Sequence, residues 1–143
     1  MASLFSSEGA ALARLILDTT VLITAEREAR NLADLVGDED EVAIAALTVA
    51  ELLVGVELAS NRYRMIREAF VRDVIKLLPV EEYDLDVARV HARLLAHVQR
   101  SGCPRGAHDL IIAATAAARR REVVTADKGG FVDLPGVILY NLH

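Results

Sequence analysis

Leu15-Ile16-Leu17-Asp18-Thr19-Thr20-Val21-Leu22-Ile23 reads as a buried strand that stops on a carboxylate and turns into a helix. A short apolar run without polar alternation is the signature of a strand covered on both faces. The pattern recurs along the chain. Val42 to Leu47 is a second apolar run, and Thr48 caps the helix that follows it to Ala59. Lys76 to Val80 reads as a third strand, and Pro79 places it at an end or an edge. Glu122 to Thr125 is a fourth, and Val137 to Tyr140 a short last one. Between them lie a helix through Val21 to Glu26 and one starting at Asn61, where Tyr63, Ile66, Phe70 and Val74 recur at helical spacing. Asp84 to Ser101 carries Val87, Val90, Leu94 and Val98 on one stripe, and Asp109 to Arg120 is Ala-rich. Polar or Gly/Pro breaks fall at Asp34 to Glu41, Ser101 to Gly106, Gly129-Gly130 and Pro135-Gly136. Strands alternating with helices predict an α/β fold: one doubly wound, mostly parallel sheet of four to five strands with helices on both faces.

The 143 residues suffice for one domain with a substantial core. Hydrophobic residues make up 53% and mean hydropathy is +0.31, with no Trp and three each of Tyr and Phe, so the apolar excess is aliphatic. No apolar run reaches the ~18 residues of a membrane span. Met1 to Arg14 has neither the basic start nor the apolar block of a signal peptide. The surplus therefore suits a face buried against protein, with a second copy and a partner chain equally good covers. The single Cys103 excludes an internal disulfide and suits a reducing cytoplasm.

A net charge of −5 argues against binding nucleic acid through overall charge. Local basic stretches exist at Arg62, Arg64, Arg67 and Arg72 and at Arg119-Arg120-Arg121. Beside an acidic pocket, such a surface is enough to guide a polyanion. Taken singly, each of these arginines reads better as part of a solvated helix face.

Four acids stand where strands end or helices begin: Asp18, Glu51, Asp109 and Asp127. In an open α/β sheet those positions share the edge where ligands bind. Two carboxylates ~4 Å apart repel by about 4 kcal/mol at an effective dielectric of 20, so a gathered set calls for a cation. Each acid also has a bland role. Asp18 can cap the next helix, and Thr48-Val49-Ala50-Glu51 fits a capping box. Asp109 suits a positive helix end, and Asp127 suits a turn. The helix holding Glu51 is apolar on nearly every side, which points Glu51 toward a polar pocket rather than open solvent. Other chemistries lack their parts. Cys103 has no paired His, no Gly-rich phosphate loop exists, and His91 reads as a satisfied core histidine.

Together, Leu15 to Ile23, Thr48 to Gly55, Arg105-Gly106-Ala107-His108-Asp109 through Ala116, and Val124-Thr125-Ala126-Asp127 resemble the motifs of PIN-domain ribonucleases. Their order and spacing, and the chain length, resemble the VapC toxins of bacterial toxin–antitoxin pairs. The resemblance runs from Leu15 to about Leu139 and implies a PIN-like domain over 15–143 after an N-terminal extension, 1–14. It implies that Asp18, Glu51, Asp109 and Asp127 form an acidic quartet binding Mg²⁺, with Mn²⁺ as substitute, supported by the hydroxyls of Thr20 and Thr125. It further implies an endoribonuclease acting on RNA, a homodimer, a VapB-like antitoxin laid into the active-site groove, and a cytoplasmic setting. A divalent ion there would lower the pKa of water and offset phosphate charge without a histidine base. Arg62, Arg64, Arg67 and Arg105 are the residues expected to hold the RNA backbone. Thr20 stands where Ser is common in the family. Gly130 stands before Phe131 where many relatives carry another Asp, which leaves the last ligand to Asp127.

Two rival readings remain at this point. A receiver-type phospho-acceptor domain also has an acidic Mg²⁺ pocket with a Thr and a Lys, and Thr125 and Lys128 are present. It expects adjacent acids after the first strand, whereas Asp18 stands alone. The other rival is a nuclease-like fold that only binds a partner.

Overall fold

A computed structural model describes residues 12–31, 34 and 40–141. The predicted extension 1–14 and the break around Gly37 therefore lie largely outside the described residues. Among the described residues, four parallel strands, β1 (Arg14–Leu17), β2 (Glu41–Ala45), β3 (Val80–Glu81) and β4 (Glu122–Val124), form one sheet in the order β3-β2-β1-β4. Five helices connect them: α1 (Thr19–Arg27), α2 (Ala46–Leu58), α3 (Asn61–Leu77), α4 (Leu85–Ser101) and α5 (Ala107–Ala118).

Alternation along the strands divides the core. Leu15, Leu17, Val42 and Ile44 pack with Leu22, Leu52, Val56, Val71 and Val74, so α1, α2 and α3 cover one face. Ile16 and Val123 pack with Val87, Leu94, Leu110, Ile112 and Phe131, which puts α4 and α5 on the other. Each fully buried aliphatic side chain contributes about 1.5–3 kcal/mol, and both faces are needed because the strands are apolar throughout.

The chain order matters for the site. From β1 the sheet grows to β2 and β3 on one side, then β4 returns to the other side of β1. That reversal opens a crevice beyond the carboxyl ends of β1 and β4. The register pairs Leu17 with Val124, and the Asp18 N–H donates to the Val124 carbonyl at 3.0 Å. Asp18 is thereby fixed beside Thr125.

Several boundaries differ from the sequence expectation. The predicted strand Lys76 to Val80 begins as helix: α3 continues to Leu77, because Val71, Val74 and Leu78 keep burying at helical spacing. Pro79 then leaves only Val80–Glu81 for the edge strand. The second strand ends at Ala45, and α2 begins at Ala46 with no side-chain cap, so Thr48 is an interior helical residue and not a cap. The predicted fifth strand reduces to one bridge, Val123 with Leu139. On α2, Leu53, Val54 and Leu58 are exposed, so the helix is not buried all round. On α3, Tyr63 and Ile66 are exposed and only the later part of the stripe is covered. His91 is half-buried at the surface, not in the core, and its Nδ1 shares a 2.8 Å hydrogen bond with the Tyr83 hydroxyl.

Two arginines of the basic block at 119–121, Arg119 and Arg121, are structural rather than a surface for polyanions. The Arg121 side chain is 7% exposed and bonds Glu81 at 3.1 Å and the carbonyls of Leu15 and Glu41 at 3.3 and 3.1 Å. Arg119 pairs with Glu81 at 3.0 Å and with Asp84. Arg121 precedes β4, at the sheet end opposite the acids. Among the described residues no helix is long and apolar enough to cross a membrane.

Candidate active site

Asp18 joins two roles that the sequence left as alternatives. It is the N-cap of α1, accepting from the Val21 N–H at 3.3 Å, and it is only 2% exposed. Its Oδ1 also accepts from the Thr20 hydroxyl at 2.6 Å, and its Oδ2 from the Thr125 hydroxyl at 2.5 Å. Burial raises its pKa, and these donors partly offset the rise by stabilising the anion.

Thr125 and Thr20 hold two loops together. The Thr125 Oγ1 accepts from the Asp127 N–H at 3.0 Å, while the Thr20 Oγ1 accepts from the Ala126 N–H at 3.1 Å. Asp127 itself is exposed and makes no side-chain cap on the short 3-10 turn after it, so the turn role has no support.

Glu51 sits in the second turn of α2, half-buried. Its Oε1 accepts from the Thr19 hydroxyl at 2.8 Å, and its Oε2 lies 3.4 Å from His108 Nδ1. Its nearest partners thus come from α1 and α5, and the capping-box role fails because α2 starts before Thr48.

Asp109, the third residue of α5, gathers the others electrostatically. Its pKa is raised first by desolvation, then by the charges of Asp18, Asp127 and Glu51, with His108 pulling the other way. A Cβ built on Gly130 would lie 2.4 Å from the Asp109 Oδ2, so any larger residue there requires the Asp109 carboxylate to turn away from its present position. An acid at Gly130 would collide with Asp109 as it stands.

The fold therefore brings all four predicted acids to one rim. Their donor set is entirely hard carboxylate oxygen, which fits Mg²⁺ or Mn²⁺. The mutual repulsion at Asp109 is what a bound cation relieves. Among the described residues, however, no three His, Cys, Asp or Glu side chains are already gathered as a ligand set. The fit is thus one of chemistry and position.

Of the arginines, Arg67 lines a cavity of about 180 Å³ with Glu51, Ile23 and Leu52, donates to the Gly55 carbonyl at 3.1 Å and lies 3.6 Å from a Glu26 carboxylate oxygen. Arg64 donates to the Glu57 carbonyl at 3.1 Å and Arg105 to the Val132 carbonyl at 2.7 Å, while Arg62 stacks over Tyr63. Sequence reading missed Thr19 and the contact of His108 with Glu51. Both arise between elements, and no local signal announces them.

The sequence profile of the PIN domain matches residues 15–137. The chain belongs to the PIN-domain family. Ribonuclease VapC5 of Mycobacterium tuberculosis is 40% identical to this PIN domain over 115 residues, covering 78% of the chain and 82% of the relative. The tRNA(fMet)-specific endonuclease VapC of Salmonella typhimurium is 34% identical over 96 residues, covering 66% and 70%. The crystal structure of VapBC-5 from Mycobacterium tuberculosis superposes with a TM-score of 0.74 at 34% identity, covering 91% of this PIN domain and 99% of that chain. These likenesses place the PIN domain with the VapC ribonucleases. The receiver-type reading is thereby set aside.

Proposed function

We propose that this PIN domain is an endoribonuclease that hydrolyses RNA phosphodiester bonds with Mg²⁺, or Mn²⁺ as substitute, as the toxin of a VapB–VapC pair. The observation that carries the proposal is Asp109, where Asp18 from after β1, Glu51 of α2 and Asp127 from after β4 converge; desolvation first, and then their charges, raise its carboxyl pKa. A carboxylate cluster at a sheet's switch point is costly to keep unless it has work to do.

Asp18, Glu51, Asp109 and Asp127 would hold the ion. When bound, it supplies Lewis acidity toward water and the phosphate oxygens. The protein's own part is preorganisation. Thr20 and Thr125 orient Asp18 by two hydroxyl bonds, and Gly130 leaves room for Asp109. Arg67, at the cavity beside Glu51, is the arginine best placed to meet a phosphate, with Arg62, Arg64 and Arg105 further candidates.

The VapBC complexes among similar solved structures support a VapB-like antitoxin as partner. Exposed Leu53, Val54, Leu58, Met65 and Ile66 on α2 and α3 offer apolar surface for that partner or for a homodimer in the cytoplasm. The decisive experiment compares the wild type with Asp18→Asn. Purified wild type should cut RNA with Mg²⁺ and stop in EDTA, and the variant should be inactive but melt cooperatively. Full cleavage in EDTA, or by Asp18→Asn, ends the proposal. Mapping RNA ends after brief expression of both proteins identifies the substrate.

A further inference from the structure

We infer that Thr19, backed by Thr48, is the positioning residue that aims Glu51 at the acidic rim. The consequence for ion binding rests on the nuclease reading above, whereas the positioning itself does not.

Thr19 is the first residue of α1 and 7% exposed, and Thr48 in α2 is fully buried. The Thr19 hydroxyl lies 2.8 Å from Glu51 Oε1 and 3.4 Å from Thr48 Oγ1. An ionised carboxylate can only accept, so the single Thr19 proton goes to Glu51. Thr48 must then be the donor in the hydroxyl pair. The result is a directed chain, Thr48 to Thr19 to Glu51, that ties α2 back to α1.

Helix capping does not use either hydroxyl. Asp18 caps α1, and α2 begins without a side-chain cap. Nor does packing require them, because Val has the same shape without a polar atom to desolvate. What the pair does is remove freedom from Glu51, whose three rotatable bonds would otherwise let a half-exposed carboxylate wander. A hydrogen bond to an anion is among the stronger kinds. With Oε1 held, Oε2 is left toward His108 and the Asp109 side of the crevice.

The test uses the whole chain as Thr19→Val and Thr19→Ser. Three readouts apply: the crystal structure at Glu51, Mn²⁺ affinity by calorimetry, and single-turnover cleavage of RNA. In Thr19→Val, Glu51 should leave the rim, and Mn²⁺ affinity and cleavage should each fall about 10–100-fold. Thr19→Ser, which keeps the hydroxyl, should restore both to within about twofold. If Thr19→Val does not fold, Thr19→Ala takes its place with the same readouts. An unmoved Glu51 in the Val variant overturns the inference, as does a displaced Glu51 with unchanged Mn²⁺ affinity. A wild type that neither binds Mn²⁺ nor cuts RNA defeats the nuclease reading instead, and the Glu51 conformation still decides the positioning role.

Discussion

Asp109 is partly desolvated and also faces the charges of Asp18, Asp127 and Glu51, and its carboxyl pKa is raised accordingly. A raised acid pKa means that the folded state disfavours the anion. Below the ordinary carboxylate range, both folded and unfolded forms are protonated and the penalty is absent. As pH rises through the elevated pKa, the anion forms and stability is lost. Asp109→Asn should therefore raise Tm at pH 7 by about 2–4 °C, kept small by solvent screening, while abolishing cleavage. Scanning calorimetry checks this, and a lower Tm would mean that the carboxylate supports the fold rather than strains it. Gly130 makes a second test. A methyl group there meets the Asp109 Oδ2 at 2.4 Å, so Gly130→Ala should displace Asp109. We expect loss of Mn²⁺ binding with little change in the urea midpoint, because the carboxylate end of Asp109 is free to turn away.

Elements are fastened at the opposite end of the sheet by Arg121. Its guanidinium bonds Glu81 of β3 and carbonyls of β1 and β2, so one side chain spans the sheet. Arg121→Ala leaves Glu81 with less compensation and two carbonyls without that donor. The urea midpoint should fall by the equivalent of about 3 kcal/mol with little change in slope, and Mn²⁺ affinity should stay unchanged. A shift in ion affinity would show that the two ends of the sheet are coupled. Element boundaries were legible where the signal was local. Asp84 caps α4 through the Val87 N–H at 3.1 Å, and Gly102 ends it at φ 69°, as stripe and loop composition suggested. They were misread where neighbours decided. Thr48 looked like a cap, yet its buried position beside Thr19 places it inside α2. Lys76 looked like a strand start, yet the burial of Val74 and Leu78 carries α3 past it.

At the scale of the molecule, the acids make ion binding compete with protons. Asp18 and Asp109 both hold their protons to higher pH than ordinary carboxyls. The acid limb of kcat/KM should accordingly lie above the usual carboxylate range of about 4, and more Mg²⁺ should move it lower. Mg²⁺ should also raise Tm, by the equivalent of about 2.7 kcal/mol at a hundred times its Kd. A limb indifferent to Mg²⁺ would separate those carboxyls from ion binding. Sequence by itself determined the α/β alternation and the places of Asp18 and Asp127 after strands and of Asp109 at a helix start, whereas Glu51 proved to lie a turn deeper in its helix than it reads. Those features are local, written in apolar runs, helical stripes and single carboxylates. Tertiary structure alone decided that β4 returns beside β1 and that Gly130 comes up against the Asp109 carboxylate. It alone gave Glu51 its bond to Thr19 and turned Arg121 inward. Each of these joins residues far apart in the chain, and such meetings are set by how whole elements pack and not by any stretch of sequence.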